Sequence, residues 1–223
     1  MPKIETRLEI KNQDTDTAEL FMYGTIRQTY WWDDESNYIS ANAIRKSLNE
    51  LKGKDIRVHI NSPGGDVFES IAICNLLKQH DGEIHIIIDS MAGSGASLIA
   101  TAGKTVKMFA NSMQMIHNAW TIACGNAMQL RKEADDLEKI DSAVKASYMS
   151  RFVGTEEELT QLLDDESYLT ADECLAFGLC SEIIENEQEN KEQASIKQSL
   201  FKKYNKVKPK DGQKPSIFNA FKK

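Results

Sequence analysis

The chain has 223 residues, of which 41% are hydrophobic and 27% are charged, and its formal net charge is −7. This length and composition predict one globular domain with a sizeable core, and the negative charge argues against a general nucleic-acid-binding protein. No apolar run resembles a signal core or reaches the length of a membrane span. We therefore expect a cytoplasmic protein that does not bind membranes.

The cysteines and histidines, four of each, show none of the spacings typical of metal sites. There is no CxxC or HExxH pattern. We interpret Cys74, Cys124, Cys174 and Cys180 as reduced thiols. The sequence therefore predicts neither a metal site nor a cofactor.

Strands and helices alternate along most of the chain. Apolar residues at every second position predict strands at 18–26, 55–60, 83–89 and 105–110, with a further extended segment at 113–117. Apolar spacings of three and four predict helices at 39–52, 66–79 and 94–102. The segment NSPGGD, at 61–66, predicts a turn. Alternating elements of these lengths predict parallel βαβ units and so an α/β fold.

The last third of the chain begins with its longest helical pattern, at 126–150. A capping box at Thr155 and a terminal glycine at Gly178 delimit two shorter helices that follow it. Beyond Glu185 the sequence becomes almost wholly polar and rich in lysine. We predict a folded domain at 1–185 and a disordered tail at 186–223.

The segment SMAGSGASL, at 90–98, contains the best candidate for a nucleophile. Ser94 stands between Gly93 and Gly95, just past a predicted strand, where open α/β sheets bind their ligands. The amide of Gly95 would lie in the first turn of the next helix, where an anion is favoured. The alternative is that Ser94 simply caps that helix. Ser97 lies inside the helix and can bond back to a carbonyl.

A serine nucleophile requires a general base, a group that orients the base, and hydrogen-bond donors for the oxyanion. His117 follows the extended segment at 113–117 and can return to the sheet edge that carries Ser94. Asp165 and Glu166 precede the last short helix, and either could orient His117. The glycines of NSPGG free backbone amides that could form an oxyanion nest. Each feature alone also has a purely structural explanation.

Taken together, these motifs resemble the proteolytic subunit of the Clp protease family. The order is NSPGG, a serine among small residues, MIH, and an acid before YLTADECLAFGL, over residues 18–183. The resemblance implies a crotonase-like fold of stacked βαβ units with a protruding long helix. It also implies a serine endopeptidase with Ser94 as nucleophile and His117 as base. By position, Gly64 and Gly95 would supply the oxyanion amides, with Gly65 beside them.

The orienting acid departs from the family pattern. The family has aspartate two residues before the aromatic, whereas this chain has Glu166 two residues before Tyr168. We predict Glu166 first and Asp165 second.

Three longer segments are similar to the Clp-like head maturation (prohead) proteases of tailed phages and prophages: YGTI…WWDDESNYISANAI, SPGGDVFESIAICNLLKQH and GNAMQLRKEADDLEKID. This similarity implies that capsid or scaffold proteins are the substrates, in the host cytoplasm or the prohead. It also implies homo-oligomeric rings, single or stacked, with the 126–150 helix as a contact. An AAA+ ATPase is a possible but not required partner.

Four alternatives stay open. The chain could be a housekeeping ATP-dependent Clp proteolytic subunit. It could be a crotonase-like acyl-CoA enzyme, which would not need the Ser94–His117 pair. It could be a Ser-Lys enzyme of the signal-peptide-peptidase type, with Lys104 as base. It could also be an inactive assembly subunit that keeps only the fold.

Overall fold

The computed structural model describes residues 4–32 and 38–184. In these ranges the strands are β1 (Arg7–Lys11), β2 (Thr17–Ile26), β3 (Asp55–Gly65), β4 (Ile84–Gly93), β5 (Thr105–Phe109), β6 (Met113–Met115), β7 (Tyr168–Thr170) and β8 (Glu182–Ile184). The helices are α1 (Ala41–Glu50), α2 (Val67–Lys78), α3 (Gly95–Ala100), α4 (Ala127–Met149), α5 (Glu156–Asp164) and α6 (Ala171–Ala176). The predicted tail at 186–223 lies outside the described residues, so the domain division stays a prediction.

The strands form one sheet in the order β1-β2-β3-β4-β5-β8. Strands β2, β3, β4, β5 and β8 run parallel, and β1 lies antiparallel against the outer edge of β2. Helices α1, α2 and α3 make the connections between successive parallel strands. The predicted α/β fold of stacked βαβ units is therefore confirmed.

The core lies between one face of the sheet and the helices. Burial alternates along the strands, so that Ile56, Val58 and Ile60 of β3 are fully buried while their neighbours are only partly covered. These side chains belong to one apolar cluster with residues of α1 and α2, including Ile44 and Ile73. Alternation of this kind buries one face of a sheet completely and is the pattern from which the strands were predicted.

The structure corrects the turn predicted at NSPGGD. Strand β3 continues through Gly65, and Thr25 and Ile26 of β2 pair with Gly64 and Gly65. Pro63 is tolerated here because the register between β2 and β3 shifts between the pairs Tyr23–Asn61 and Thr25–Gly64, an irregularity that spans Pro63 and where a missing N–H costs little. The Pro-Gly-Gly signal predicted a reversal of the chain, but tertiary pairing holds it extended.

Strand β4 is shared between two neighbours, and this arrangement creates the site described below. Residues 85–88 of β4 pair with β5, whereas Met91, Ala92 and Gly93 pair in parallel with β6. Strand β7 then pairs antiparallel with β6 on its other side. The segments that follow β4 and β6 consequently leave the sheet side by side.

Helix α4 is only partly packed against the domain. Val144 and Tyr148, in its C-terminal part, are buried, whereas residues 121–135 are all exposed. Leu130 and Ala134, which were expected on its apolar stripe, are among those exposed residues. The helix therefore protrudes as predicted.

Among the residues that the structure describes, none of the helices combines the length and hydropathy of a membrane span.

Candidate active site

Ser94 occupies a strained turn between β4 and α3. Its backbone angles are φ 51° and ψ −124°, and such positive-φ conformations cost a non-glycine residue about 1–3 kcal/mol. Ser94 stands at the N-cap position, but its hydroxyl makes no capping hydrogen bond to α3. The capping explanation of this serine is therefore wrong. The turn instead presents the hydroxyl at the end of the strand.

His117 lies directly against Ser94. The amide of Ser94 donates to the carbonyl of Met115 over 2.7 Å, which ties the turn to β6. Two residues further along, His117 Nε2 lies 2.7 Å from Ser94 Oγ. This distance is that of a strong hydrogen bond between a hydroxyl and an imidazole. The spatial meeting of residues 94 and 117, expected from the order of the strands, is present.

The other three histidines have different partners. His59 Nδ1 lies 3.0 Å from a carboxylate oxygen of Asp89. His80 Nε2 lies 2.8 Å from the carbonyl of Lys54, and His85 Nδ1 lies 2.9 Å from Thr105 Oγ1. None of these imidazoles contacts Ser94.

Glu166 faces the same cleft as Ser94 and His117. Met115 pairs with Tyr168 across the antiparallel β6–β7 ladder, and the amide of Ile116 donates to Ser167. Glu166 itself lies in the turn before β7, with a φ of 48°, and both Glu166 and His117 line the cleft. In the described part of the chain, no hydrogen bond or ion pair joins His117 to a carboxylate.

The two neighbouring acids have other positions. Asp165 ends α5 as an exposed C-cap and does not line the cleft. Asp164 accepts a hydrogen bond from the side chain of Asn118 at 2.7 Å. Of the two acids predicted from the sequence, the structure therefore favours Glu166.

Of the three predicted oxyanion glycines, Gly64 already uses its amide in a hydrogen bond within the protein. It donates to the buried Ser62 Oγ over 3.0 Å, and Ser62 Oγ donates in turn to the carbonyl of Gly24 over 2.6 Å. Because the amide of Asp66 bonds to Ile26 of β2, strand geometry turns the Gly65 amide to the opposite side, toward β4. The structure thus favours Gly65 over Gly64 as a donor.

Gly95 lies in the first turn of α3, where backbone amides lack intrahelical acceptors. A Cβ atom at this position would lie 2.1 Å from Ser70 Oγ, so a side chain fits only if Ser70 shifts. At Gly64 a Cβ atom would lie 2.4 Å from the carbonyl oxygen of Gly93. Gly64 therefore allows the end of β3 to approach the backbone beside Ser94, and Gly95 allows the close contact of α3 with Ser70 of α2.

These groups border a cleft of about 930 Å³. Its lining is largely apolar and includes Phe68, Met91, Leu98 and Met115, with α4 contributing one wall through Ile140 and Val144. A cleft of this size accommodates several residues of an extended peptide.

Lys104, the alternative base, forms an exposed ion pair with Glu83 and does not line the cleft.

Within residues 4–32 and 38–184, no three His, Cys, Asp or Glu side chains are grouped to hold a metal ion. All four cysteines have free thiols, and burial raises the pKa of Cys174 to about 12.

Sequence reasoning missed two supporting hydroxyls of this site. Ser62 and Tyr148 are buried next to the catalytic candidates, yet nothing in their local sequence shows that their hydroxyls support the site. Ser97 was expected to bond back to a carbonyl, and it does, to Ser94 at 2.6 Å.

Two comparisons with known proteins identify relatives of this chain. A family model described as "Clp protease" matches residues 25–187. The chain is also 29% identical, over 161 residues, to a protein of Ligilactobacillus salivarius (strain UCC118) described as "ATP-dependent Clp protease proteolytic subunit". That alignment covers 71% of this chain and 81% of the relative.

Proposed function

Because the chain belongs to the Clp protease family, we propose that it is a serine endopeptidase in which Ser94 and His117 perform the chemistry. One observation carries this assignment: Ser94 Oγ lies 2.7 Å from His117 Nε2, on a strained turn at the mouth of an apolar cleft. A hydroxyl in hydrogen-bond contact with an imidazole is the arrangement that nucleophilic acyl transfer requires.

The reaction proceeds through an acyl-enzyme. His117 Nε2 removes the proton of Ser94 while Oγ attacks the peptide carbonyl, and the Gly65 and Gly95 amides stabilise the oxyanion. His117 then gives the proton to the leaving amine, and a water molecule, activated in the same way, releases the acid product. Each oxyanion donor contributes about 3 kcal/mol to lowering the barrier.

Glu166 is the proposed orienting acid. The lining of the cleft supports this role, because Glu166 and His117 both border it beside the paired strands β6 and β7. Glutamate is one methylene longer than aspartate, so a hydrogen bond from its carboxylate to His117 requires a different rotamer or a shifted backbone. Asp165 remains the second candidate.

The decisive test is labelling with a fluorophosphonate probe together with hydrolysis of a fluorogenic peptide. Wild-type protein should be labelled on Ser94, and both Ser94→Ala and His117→Ala should abolish labelling and turnover. Peptidase activity that survives in Ser94→Ala would refute the assignment. Activity that is lost in Ser94→Ala but survives in His117→Ala would favour a Ser-Lys enzyme. Acyl-CoA turnover without fluorophosphonate labelling would favour a crotonase-type enzyme.

We propose capsid or scaffold proteins of a phage or prophage as the substrates. The support is the similarity of three long segments to the head maturation proteases. The competing proposal, an ATP-dependent housekeeping subunit, is supported by the relative's description. Incubating the protein with a phage capsid or scaffold protein should yield one defined cleavage product without ATP. Cleavage that requires an AAA+ ATPase would favour the housekeeping alternative.

Helix α4 is the proposed contact between subunits of a homo-oligomeric ring or ring pair. Its exposed N-terminal part carries Met128 and Leu130, which are 75% and 44% exposed. Replacing both with glutamate should lower the sedimentation coefficient of the assembly. A wild-type protein that sediments as a monomer would refute this proposal without affecting the catalytic one.

A further inference from the structure

Two buried hydroxyl groups lie beneath the Ser94 turn. Ser97 Oγ is 2.6 Å from the Ser94 carbonyl, 3.2 Å from the Met115 carbonyl and 2.6 Å from the Tyr148 hydroxyl. Ser97 and Tyr148 are 0% and 1% exposed. The acyl-enzyme chemistry does not use either group, and apolar side chains would fill the same space without any polar group to satisfy.

The direction of these hydrogen bonds follows from a count of protons. The Ser97 hydroxyl has one proton, and the two carbonyl groups can only accept it. Tyr148 must therefore donate to Ser97. Burial raises the pKa of the Tyr148 phenol, which keeps it protonated and able to donate. A directed chain thus runs from Tyr148 through Ser97 to the backbone of Ser94.

These hydrogen bonds end on the two backbone segments that carry the proposed catalytic pair. The Ser94 carbonyl belongs to the strained residue that carries the nucleophile. The Met115 carbonyl accepts from the Ser94 amide at 2.7 Å and lies two residues before His117. Strained conformations persist only where their surroundings over-determine them, and the Ser97 hydroxyl supplies such a constraint on both segments.

We infer that Ser97 and Tyr148 are positioning residues for the proposed peptidase reaction: Tyr148 orients the Ser97 hydroxyl, which holds the Ser94 turn against the strand that carries His117. The inference rests on the proposed function. Tyr148 lies in the last turn of α4. The way in which α4 packs on the domain therefore sets the geometry of the Ser94–His117 pair.

The first test replaces the phenol alone. Tyr148→Phe should lower both kcat for a fluorogenic peptide and the rate of fluorophosphonate labelling about tenfold, with KM unchanged, because small displacements of reacting groups cost large factors in rate. Tyr23→Phe is the matched control, since it removes a tyrosine hydroxyl that bonds to Asp89 at 2.6 Å outside the cleft. It should leave both rates unchanged.

The second test asks whether Tyr148 acts through Ser97. Ser97→Ala should slow labelling at least as much as Tyr148→Phe does, and the double variant should be no slower than Ser97→Ala. Effects that multiply in the double variant would show independent roles and overturn the inference. Ser97→Ala also provides the comparison with wild type if Tyr148→Phe does not fold.

The two proposals fail in different ways. If wild-type protein is not labelled on Ser94, the proposed function fails. If wild-type protein is labelled and folded Tyr148→Phe reacts as fast as Tyr23→Phe, only the positioning role fails. A lower melting temperature with unchanged kcat and labelling rate would show that the hydroxyl pair is merely structural.

Discussion

Ser62→Ala tests whether a buried hydroxyl organises the segment next to the nucleophile. The hydroxyl donates to the Gly24 carbonyl over 2.6 Å and accepts from the Gly64 amide over 3.0 Å. Both glycines are buried, so water cannot replace the lost partner on either side. A buried group left without its hydrogen bond costs about 1–3 kcal/mol, so two such groups predict a loss of roughly 2–6 kcal/mol.

The measurement is urea unfolding, with the slope of the transition checked for constancy. The matched control is Ser112→Ala, because Ser112 is equally buried but its hydroxyl makes one bond, to the Phe109 carbonyl at 2.8 Å. That carbonyl keeps the Ser112 amide as a donor, so the control should lose only about 1 kcal/mol.

Ser62→Ala should also slow acylation of Ser94, because releasing the Gly64 amide lets the neighbouring Gly65 amide turn away from the oxyanion. Equal losses of unfolding free energy in Ser62→Ala and Ser112→Ala would refute the reasoning about stability. An unchanged labelling rate in Ser62→Ala would refute the link to the oxyanion site.

Three further predictions follow from the same geometry. Glu166→Gln should lower kcat at least about tenfold by misorienting the imidazole, while Asp165→Asn, the neighbouring control, should not; the reverse order would reassign the acid. Gly95→Ala should destabilise the protein by about 1–3 kcal/mol, because its Cβ would lie 2.1 Å from Ser70 Oγ; a stability equal to that of wild type in urea unfolding would contradict this. Burial raises the pKa of Tyr148, so the stability that it contributes is complete below the unfolded pKa of about 10 and declines as pH rises above that value. Urea unfolding at rising alkaline pH should show a smaller decline in Tyr148→Phe than in wild type, and equal declines would assign the effect to other groups.

Several elements could be predicted because each has a strong local signal. The alternating isoleucines of β3 and β4 identify buried strands from any short window, and the capping box at Thr155 identifies a helix start. Strand β1 and the three-residue strands β7 and β8 were missed. The three-residue strands are extended only because a neighbouring strand pairs with them, whereas β1 is as long as the predicted β5 but none of its residues is fully buried.

The composition of the candidate site was accessible from the sequence, but its hydrogen bonding was not. Ser94, His117, Glu166 and the three glycines could be named from motif order and resemblance. The sequence could not tell that Ser62 holds the Gly64 amide, nor that Tyr148 reaches Ser97. Ser62 and Gly64 are two positions apart in the sequence, whereas Ser97 and Tyr148 are 51 positions apart. The bond between Ser97 and Tyr148 exists only because α4 folds back beneath α3.

The sequence by itself determined the periodic strands and helices, the small residues around Ser94, and the presence of one serine and one histidine at the ends of successive extended segments. These features depend on side-chain size and on the repeat of the backbone, which neighbouring residues fix. Only the tertiary structure decided that β4 leaves β5 for β6 at Met91. That exchange of partners joins the nucleophile to its base, because a 2.7 Å hydrogen bond between residues 23 positions apart requires the whole sheet to hold them in register.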